Sequence, residues 1–202
     1  MNPFVFAAID FETTGSVAGY PVEPWQIGVV RLEGDGFRFW DHWLRVGDRP
    51  FHPQAPGRHE QVRHELEAAP ALHELLPDLR RFCGGVPLVA HNAATERKCL
   101  RDAVPMERLG PWIDTLKLSR ALWPELDSHT LGDLLVTHGL RERVAALLPD
   151  RQEHDALFDA AGSAVLLRFM LSLPVCRDLS LDVLVNPDLM AYYARKRGGG
   201  AG

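Results

Sequence analysis

Cysteine is scarce in this sequence, and long apolar runs are absent. The 202 residues include three cysteines, at positions 83, 99 and 176, and no two of them form a CxxC pair. An odd, scattered set argues against a disulfide scaffold, lacks zinc-binding spacing and suits a reducing compartment. No stretch approaches the roughly 18 apolar residues of a membrane helix, and the first four residues, MNPF, lack the basic start of a signal peptide. We therefore expect a cytoplasmic protein that does not cross a membrane.

Positive charge is also in short supply. The chain carries 22 Lys and Arg against 27 Asp and Glu, which gives a formal net charge of −5. A protein that binds nucleic acid through electrostatics alone needs a basic balance or a basic stripe, so the composition argues against this class. An enzyme that meets phosphates through metal ions is not excluded, because its metal site must itself be acidic.

The composition is otherwise that of a globular domain. Hydrophobic residues make up 46% and charged residues 24% of the chain, which excludes a disordered protein. We expect one compact domain over 1–173, followed by a C-terminal extension over 174–202. The extension is predicted to contain a helix around 187–194 and a basic, glycine-rich tail. For that tail, a solvated terminus is favoured over contact with nucleic acid or a partner.

Apolar runs and turn residues predict an α/β domain with a mixed sheet. Apolar, β-rich segments predict five strands, at 4–11, 25–32, 37–46, 86–90 and 111–114, with a hairpin turn at 33–36. Helical spacing predicts a helix over 72–82 that is kinked at Pro77, and further helices at 94–103, 115–123, 130–139 and 155–171. Residues 47–67 are rich in Pro, His and Arg and are expected to be irregular. Strands that come first as a meander and then alternate with helices favour this fold class.

Two carboxylates follow the apolar run of the first strand. Asp10 and Glu12 are separated by two positions, so on a strand they share one face. Two adjacent anions repel each other, and a hard divalent cation between them makes the arrangement favourable, since Mg²⁺ and Mn²⁺ take oxygen ligands. The alternative is a solvated strand end.

A second polar segment, His91 to Glu96, follows the fourth predicted strand. The end of a strand before a helix is where sites of α/β proteins collect. Glu96 falls in the first turn of the predicted helix, from which its carboxylate can reach the strand ends. Taken without its neighbours, Glu96 is better explained as a surface glutamate that the helix dipole favours.

The third segment contains His154, Asp155 and Asp159. Asp159 lies among small and apolar residues in a predicted helix, where a carboxylate is rarely buried without a partner. Asp155 is four residues earlier on the same helix face and competes with it as a ligand. His154 is expected in the loop before the helix, either as a general base over the site or as an exposed loop histidine.

Together these segments resemble the motifs of one family. The run FAAIDFETTG at 6–15 is similar to its first motif, LVAHNAATE at 88–96 to its second, and HDALFDA at 154–160 to its third. Between the last two, WIDTL at 112–116 looks like the family's apolar-D-T-L stretch. The sequence thereby resembles the DnaQ-like 3′–5′ exonucleases of the DEDDh group over about residues 4–171.

The resemblance implies a fold, a cofactor and roles for particular residues. The fold is ribonuclease H-like, with a central five-stranded mixed sheet flanked by helices, and two divalent metals, Mg²⁺ or Mn²⁺, lie at the strand ends. By motif position, Asp10 bridges both metals, Glu12 and Asp159 complete the first, Glu96 serves the second, and His154 deprotonates the attacking water. The neighbouring motif residues are the expected substrate contacts: Thr13, Thr14, Gly15, His91 and Asn92.

The chain departs from the family pattern at two places. Glu96 and Thr95 stand where relatives usually have aspartate and an aromatic residue, and Ser16-Val17 replaces a larger apolar residue. We expect a metal-dependent exonuclease that releases nucleoside 5′-monophosphates from single-stranded 3′ ends. DNA is the favoured substrate, in proofreading or end-trimming, with a DNA polymerase as candidate partner. The alternatives are an RNA 3′-end trimming enzyme and a non-catalytic binding module of the same fold.

Overall fold

A central sheet organises the chain. The computed structural model describes residues 5–34, 36–55, 57, 59 and 61–198. The strands are β1 (Ala7–Thr13), β2 (Pro24–Glu33), β3 (Gly36–Trp43), β4 (Leu88–Ala90) and β5 (Trp112–Asp114). Their order in the sheet is β3-β2-β1-β4-β5. β1 pairs antiparallel with β2, and β2 with β3, whereas β1, β4 and β5 run parallel. The C-terminal ends of β1, β4 and β5 therefore meet at one edge of the sheet.

Helices cover both faces of this sheet. They are α1 (Arg63–Ala68), α2 (Leu76–Cys83), α3 (Ala94–Ala103), α4 (Thr115–Leu122), α5 (Leu131–Thr137), α6 (Arg141–Leu147), α7 (Ala156–Ser172), α8 (Leu181–Val185) and α9 (Met190–Gly198). Short 3₁₀ helices span Leu72–Leu75 and Pro174–Cys176. Within the described ranges, none of the helices combines the length and hydropathy needed to cross a bilayer.

β1 is buried on both faces, which explains its continuous apolar run. Alternate side chains of a strand point to opposite faces. Accordingly, Phe6 and Ala8 pack in the core that contains α7, whereas Ala7 and Ile9 pack in the core that contains residues of α2 and α3. The same alternation continues along the strand and places Asp10 and Glu12 on the α7 side.

The five-stranded mixed sheet and the α/β class are confirmed, but several local predictions are wrong. Residues 47–67 are not irregular throughout, because α1 forms there and buries Leu66 in a small cluster with Trp25 and Val46. The segment 72–82 is not one kinked helix. A 3₁₀ turn precedes α2, and Pro77 lies at the start of α2, where its missing N–H removes no helical hydrogen bond.

Helices α6 and α8 were not predicted, because each is too short to show a clear apolar period. The C-terminal helix begins later than expected, at Met190, and ends at Gly198. Arg195 and Lys196, assigned to a solvated tail, therefore lie in a helix. The rest of the predicted tail, 199–202, lies outside the described residues, as does Phe4, the predicted start of the first strand.

Candidate active site

The first half of the candidate site is built by β1 and its neighbour β2. In the antiparallel register Asp10 is opposite Gly28, and Glu12 is opposite Gln26. Glu12 is only 7% exposed, and Asp10 is half-buried. Both carboxylates are held by the sheet itself, so their separation follows from the strand geometry.

β2 also fixes the beginning of α7 beside these carboxylates. A Cβ atom on Gly28 would lie 2.3 Å from the backbone of Ala156 and Leu157, so the helix can approach the sheet only because residue 28 has no side chain. The buried Gln26 accepts a hydrogen bond at Oε1 from the backbone N–H of Ala156, at 3.1 Å. The first turn of α7 is thereby held against the strand that pairs with Asp10 and Glu12.

The competition between Asp155 and Asp159 is resolved by their hydrogen bonds. Asp155 is the N-cap of α7 and accepts from the N–H groups of Leu157 and Phe158. Its other carboxylate oxygen lies 2.8 Å from the guanidinium of Arg151. Asp155 is thus occupied in stabilising the helix end, a role that its sequence position at a helix start could have indicated.

Asp159 instead joins Glu12 and His154. One ligand atom from each of these three residues lies within 4.8 Å of the other two. His154 is exposed and has a φ of +64°, and its backbone N–H donates to Asp159 Oδ2 at 3.2 Å. Its carbonyl packs against Gly57, where a Cβ would be 3.0 Å away. The loop before α7 is therefore held on both sides, with the imidazole beside two carboxylates.

The second half of the site is supplied by α3. Glu96 lies in the first turn of that helix, is 3% exposed, and its Oε2 has no hydrogen-bond partner in the described part of the chain. Glu96 acts electrostatically on Asp10, as do Asp159 and Glu12. Glu12 and Asp159 thus lie together with His154, and Asp10 is close enough to Asp159, Glu96 and Glu12 to interact with their charges. The catalytic and ligand roles of these residues remain predictions.

The electrostatics of the site are those of crowded, desolvated anions. Desolvation and then the charges of Asp159, Glu96 and Glu12 raise the pKa of Asp10 well above its ordinary value. Burial, followed by the charge of Asp159, raises the pKa of Glu12 to about 8. Burial also raises the pKa of Glu96 to about 8 and that of Asp159 to about 6. Each negative charge therefore disfavours the others.

This donor set fits divalent cations. Among the described residues, no lysine or arginine forms an ion pair with Asp10, Glu12, Glu96 or Asp159. Buried carboxylates without a counter-charge are costly, and oxygen-rich clusters of this kind are what Mg²⁺ and Mn²⁺ prefer. The unpartnered Oε2 of Glu96 is the kind of atom that a metal ion or a metal-bound water would satisfy.

Comparison with known proteins identifies the family. The profile of the RNase_T family, described as exonuclease, matches residues 7–167, a range that includes all three motifs. This chain belongs to the DnaQ-like exonuclease family. It is 30% identical over 186 residues to Exodeoxyribonuclease 10 of Escherichia coli K12, an alignment that covers 92% of this chain and 77% of that protein.

The chain also matches parts of larger proteins. The exonuclease is 32% identical to the DNA polymerase III PolC-type of Halalkalibacterium halodurans, covering 91% of this chain but 12% of that protein. It is 27% identical to the 3′-5′ exonuclease DinG of Staphylococcus saprophyticus, and the alignment covers 95% of this chain and 20% of DinG.

The structure of S. pombe Pop2p in its Mg²⁺- and Mn²⁺-bound form superposes with a TM-score of 0.59 at 14% identity, covering 94% of this chain and 90% of Pop2p. That likeness confirms the ribonuclease H-like fold.

In this exonuclease, the motif residues after β1 hold loops together. The buried Thr14 exchanges backbone hydrogen bonds with Glu23 and His52, and its Oγ1 accepts from the N–H of Glu23 at 3.1 Å. The carbonyl of Thr13 accepts from Trp25 Nε1. Gly15 has a φ of +72°, and a Cβ there would lie 2.7 Å from His52. These contacts position the strand end, and direct contact with substrate stays a prediction.

The motif residues after β4, His91 and Asn92, also form hydrogen bonds within the protein. His91 Nε2 donates to the carbonyl of His129 at 2.8 Å, and Nδ1 lies 3.0 Å from Thr115 Oγ1. Burial lowers the pKa of His91, which favours the neutral ring. The exposed Asn92 has a φ of +70°, and its N–H donates to Asp114 Oδ1. His91 is therefore a wall of the site, whereas the Asn92 side chain is free to be reached from solvent.

Sequence reasoning missed two residues that position the site, Gln26 and Gly28. Both carried a signal. Gln26 is a polar residue inside an apolar strand, and a glycine in a strand interior often marks a close backbone approach. Neither signal says which element approaches, so the contact with α7 was not predictable from the strand alone.

Proposed function

We propose that this exonuclease is a metal-dependent 3′–5′ enzyme that removes nucleoside 5′-monophosphates from single-stranded ends, with DNA as its favoured substrate. The observation that supports it most strongly is the convergence of four desolvated carboxylates and one exposed histidine at a single sheet edge. Cations that neutralise this cluster would also attract the phosphodiester that an acidic cleft otherwise repels.

The proposed ligands are the four carboxylates of the cluster. We propose that Asp10 would be shared between two Mg²⁺ or Mn²⁺ ions, that Glu12 and Asp159 would complete one site, and that Glu96 would serve the other, directly or through water. When bound, such a metal pair supplies an activated water and stabilises the negative charge of the leaving oxygen. The structure of Pop2p with Mg²⁺ and Mn²⁺ bound supports this choice of ions.

His154 is the proposed general base. Its ring lies beside Glu12 and Asp159 but remains exposed, so a water and a phosphodiester can both reach it. The water loses a proton to the imidazole and its oxygen bonds to phosphorus, while the bond from phosphorus to O3′ breaks. The O3′ of the shortened strand takes a proton from solvent, and the imidazole returns its own to solvent.

The residues beside the carboxylates are proposed to line the path of the terminal nucleotide. Asn92 is placed to contact it through an exposed side chain, and Thr13 and Gly15 through the strand end that they form. Thr14 and His91 hold the walls through their internal hydrogen bonds. We further propose that residues 1–173 are the catalytic domain and 174–202 an accessory segment.

The test is degradation of labelled oligonucleotides by the purified chain. With Mg²⁺ or Mn²⁺, a 5′-labelled single strand is expected to give a descending ladder, and a 3′-labelled strand to release labelled mononucleotide first. EDTA should stop both reactions, and Asp10→Asn should lack them. A ladder from RNA that is faster than from DNA would favour RNA trimming. The absence of degradation of either strand would favour a binding module.

The DNA preference and the cellular setting rest on the relatives. One relative is an exodeoxyribonuclease, and another is a DNA polymerase III of the PolC type. End-trimming or proofreading next to a DNA polymerase is the setting that we propose. Mixing the chain with a polymerase and a primer that ends in a mismatch tests it, since proofreading predicts that the mismatch is removed before extension.

A further inference from the structure

A pocket outside the carboxylate cluster lies between α4, α9 and the loop that precedes α5. It has a volume of about 430 Å³, and its walls include His91, Arg120, His129 and Tyr192. We call it the α4–α9 pocket. The C-terminal extension, which lies beyond residue 167 where the family match ends, contributes Tyr192 of α9 to its lining.

Cations gather around one aromatic ring in this pocket. The guanidinium of Arg120 lies 4.9 Å from the centre of the Tyr192 ring, and the ammonium of Lys196 lies 5.8 Å from it. Arg195, the next cation, is paired with Asp127 at 3.1 Å. In the described part of the chain, neither Arg120 nor Lys196 has an acidic partner in an ion pair. The two cations beside the ring are thus not neutralised by an ion pair, while Asp127, which also lines the pocket, is paired with Arg195.

Arg120 is also short of a hydrogen-bond acceptor. Its Nε is buried and has no partner among the described residues. A guanidinium offers five N–H donors in a planar fork, and phosphate oxygens match that geometry. The positive field is felt by the buried His129, whose pKa is lowered by desolvation and then by Arg120 and Lys196. An anion in the pocket would accept a hydrogen bond from Arg120 and would offset the positive charges that act on His129.

The pocket adjoins the carboxylate cluster through a shared wall. His91 lines the pocket and is bonded to His129, while the next residue, Asn92, donates to Asp114. Asp114 in turn acts electrostatically on Glu96. The pocket therefore lies beside the ends of β4 and β5, and His91 separates it from the residues that interact with Glu96.

We propose that the α4–α9 pocket binds a backbone phosphate of the nucleic-acid strand, upstream of the nucleotide being removed. This inference rests on the proposed function for the identity of the strand. The acidic cluster can hold a phosphodiester only at its metals, whereas Arg120 and Lys196 attract phosphate directly. The C-terminal extension would then increase affinity for long strands without taking part in the chemistry.

Binding of a labelled single-stranded oligonucleotide of about 12 nucleotides, measured by fluorescence anisotropy in EDTA, tests the proposal without hydrolysis. Lys196→Gln is expected to raise Kd roughly fivefold and to reduce the slope of log Kd against log salt by about 0.7, the value for one phosphate contact on a single strand. The double variant Arg120→Gln/Lys196→Gln should raise Kd further but lose no more than about 0.7 of the slope, because the proposed pocket holds one phosphate. Unchanged Kd and slope in Lys196→Gln would overturn the proposal.

Arg38→Gln is the matched control. Arg38 also lies over an aromatic ring, 5.4 Å from the centre of Phe82, but on β3 at the opposite edge of the sheet. The oligonucleotide Kd and the salt slope of Arg38→Gln should equal those of the wild type. Lys196 is exposed, so Lys196→Gln tests the pocket even if the loss of the half-buried Arg120 destabilises the fold.

Two further measurements separate the possible outcomes. A one-nucleotide substrate, the p-nitrophenyl ester of thymidine 5′-monophosphate, should be hydrolysed equally by wild type and Lys196→Gln, because it is too short to reach the pocket. If inorganic phosphate raises the Tm of wild type but not of Lys196→Gln, while oligonucleotide Kd is the same in both, the pocket takes free phosphate and the proposal fails. Wild type that binds but hydrolyses nothing in Mg²⁺ contradicts the proposed function alone.

Discussion

The two halves of the candidate site are built differently. On the β1–α7 side, Glu12, His154 and Asp159 lie within 4.8 Å of one another, and β2 holds the beginning of α7 directly against them. On the β4–α3 side, His91 is hydrogen-bonded to the carbonyl of His129, and Asp114 accepts from the N–H of Asn92. Glu96 has a carboxylate oxygen without a hydrogen-bond partner among the described residues. The first half therefore has its donor atoms already clustered, whereas the second depends on Glu96, whose side chain is longer than the aspartate usual in relatives.

The largest expected effect lies in the first half. His154→Ala should lower turnover by roughly 10²–10⁴-fold, the usual contribution of a general base. Metal affinity should change little, because the four carboxylates remain. Steady-state rates and calorimetric titration with Mn²⁺ measure the two quantities. Unchanged turnover near pH 7 would remove the proposed role of His154.

The second half is tested by changing the length and charge of Glu96. Glu96→Asp withdraws the carboxylate by about 1.5 Å, so activity should fall roughly tenfold and excess Mg²⁺ or Mn²⁺ should recover part of it. Glu96→Gln should be more severe, because the charge that offsets a cation is lost. Rates measured over a range of metal concentrations separate these effects.

A rise in activity in Glu96→Asp would reverse the interpretation of this half. It would mean that the backbone is placed for the aspartate that relatives usually have. Equal rates in wild type and both variants would place Glu96 outside the reaction altogether.

The attachment of α7 to the sheet provides a smaller, structural test of the first half. Gly28→Ala places a methyl group in the backbone of Ala156 and Leu157, an overpacking that costs about 1–3 kcal/mol. Activity should fall with stability, since the helix that carries Asp159 is displaced. Gly36→Ala is the matched control, because the nearest atom to its Cβ is 3.8 Å away. Equal Tm values for the two variants would show that Gly28 does not set this contact.

The pH dependence of stability tests the charge of both halves, through Glu12 in the first and Glu96 in the second. The folded-state pKa values of Glu12 and Glu96 are raised to about 8, so between their unfolded values and pH 8 the folded protein holds more protons than the unfolded chain. Stability of the metal-free protein is therefore greatest at low pH within this window and falls as pH rises through it. Mg²⁺ should restore stability most strongly near pH 8.

Thermal melting in EDTA and in Mg²⁺ measures this dependence. Glu12→Gln and Glu96→Gln should each flatten the EDTA profile, and to a similar extent, because their pKa values are similar. A Tm in EDTA that rises with pH would contradict the crowding of charges in both halves. A flattening by Glu12→Gln alone would mean that the second half is solvated when metal is absent.

Local spacing in the sequence was sufficient to predict the fold class and the composition of the cluster. The apolar run before Asp10 predicts a strand, and two-residue spacing puts Asp10 and Glu12 on one face whatever the rest of the chain does. The three motifs identify the family, and with it the five-stranded sheet. These inferences depend on neighbours within a few residues, which a sequence displays directly.

The tertiary structure decided what depends on distant residues. Whether Asp155 or Asp159 faces the cluster follows from the capping bonds of α7 and from Arg151, and the place of α7 follows from Gln26, 130 positions away in the chain. The packing of Tyr192 of α9 against Arg120 likewise depends on a residue far away in the chain, whereas Arg195 and Lys196 are helical but exposed. The spacing of residues determines which side chains share a face. Which of their polar atoms are already satisfied is determined only by what the rest of the chain packs against them.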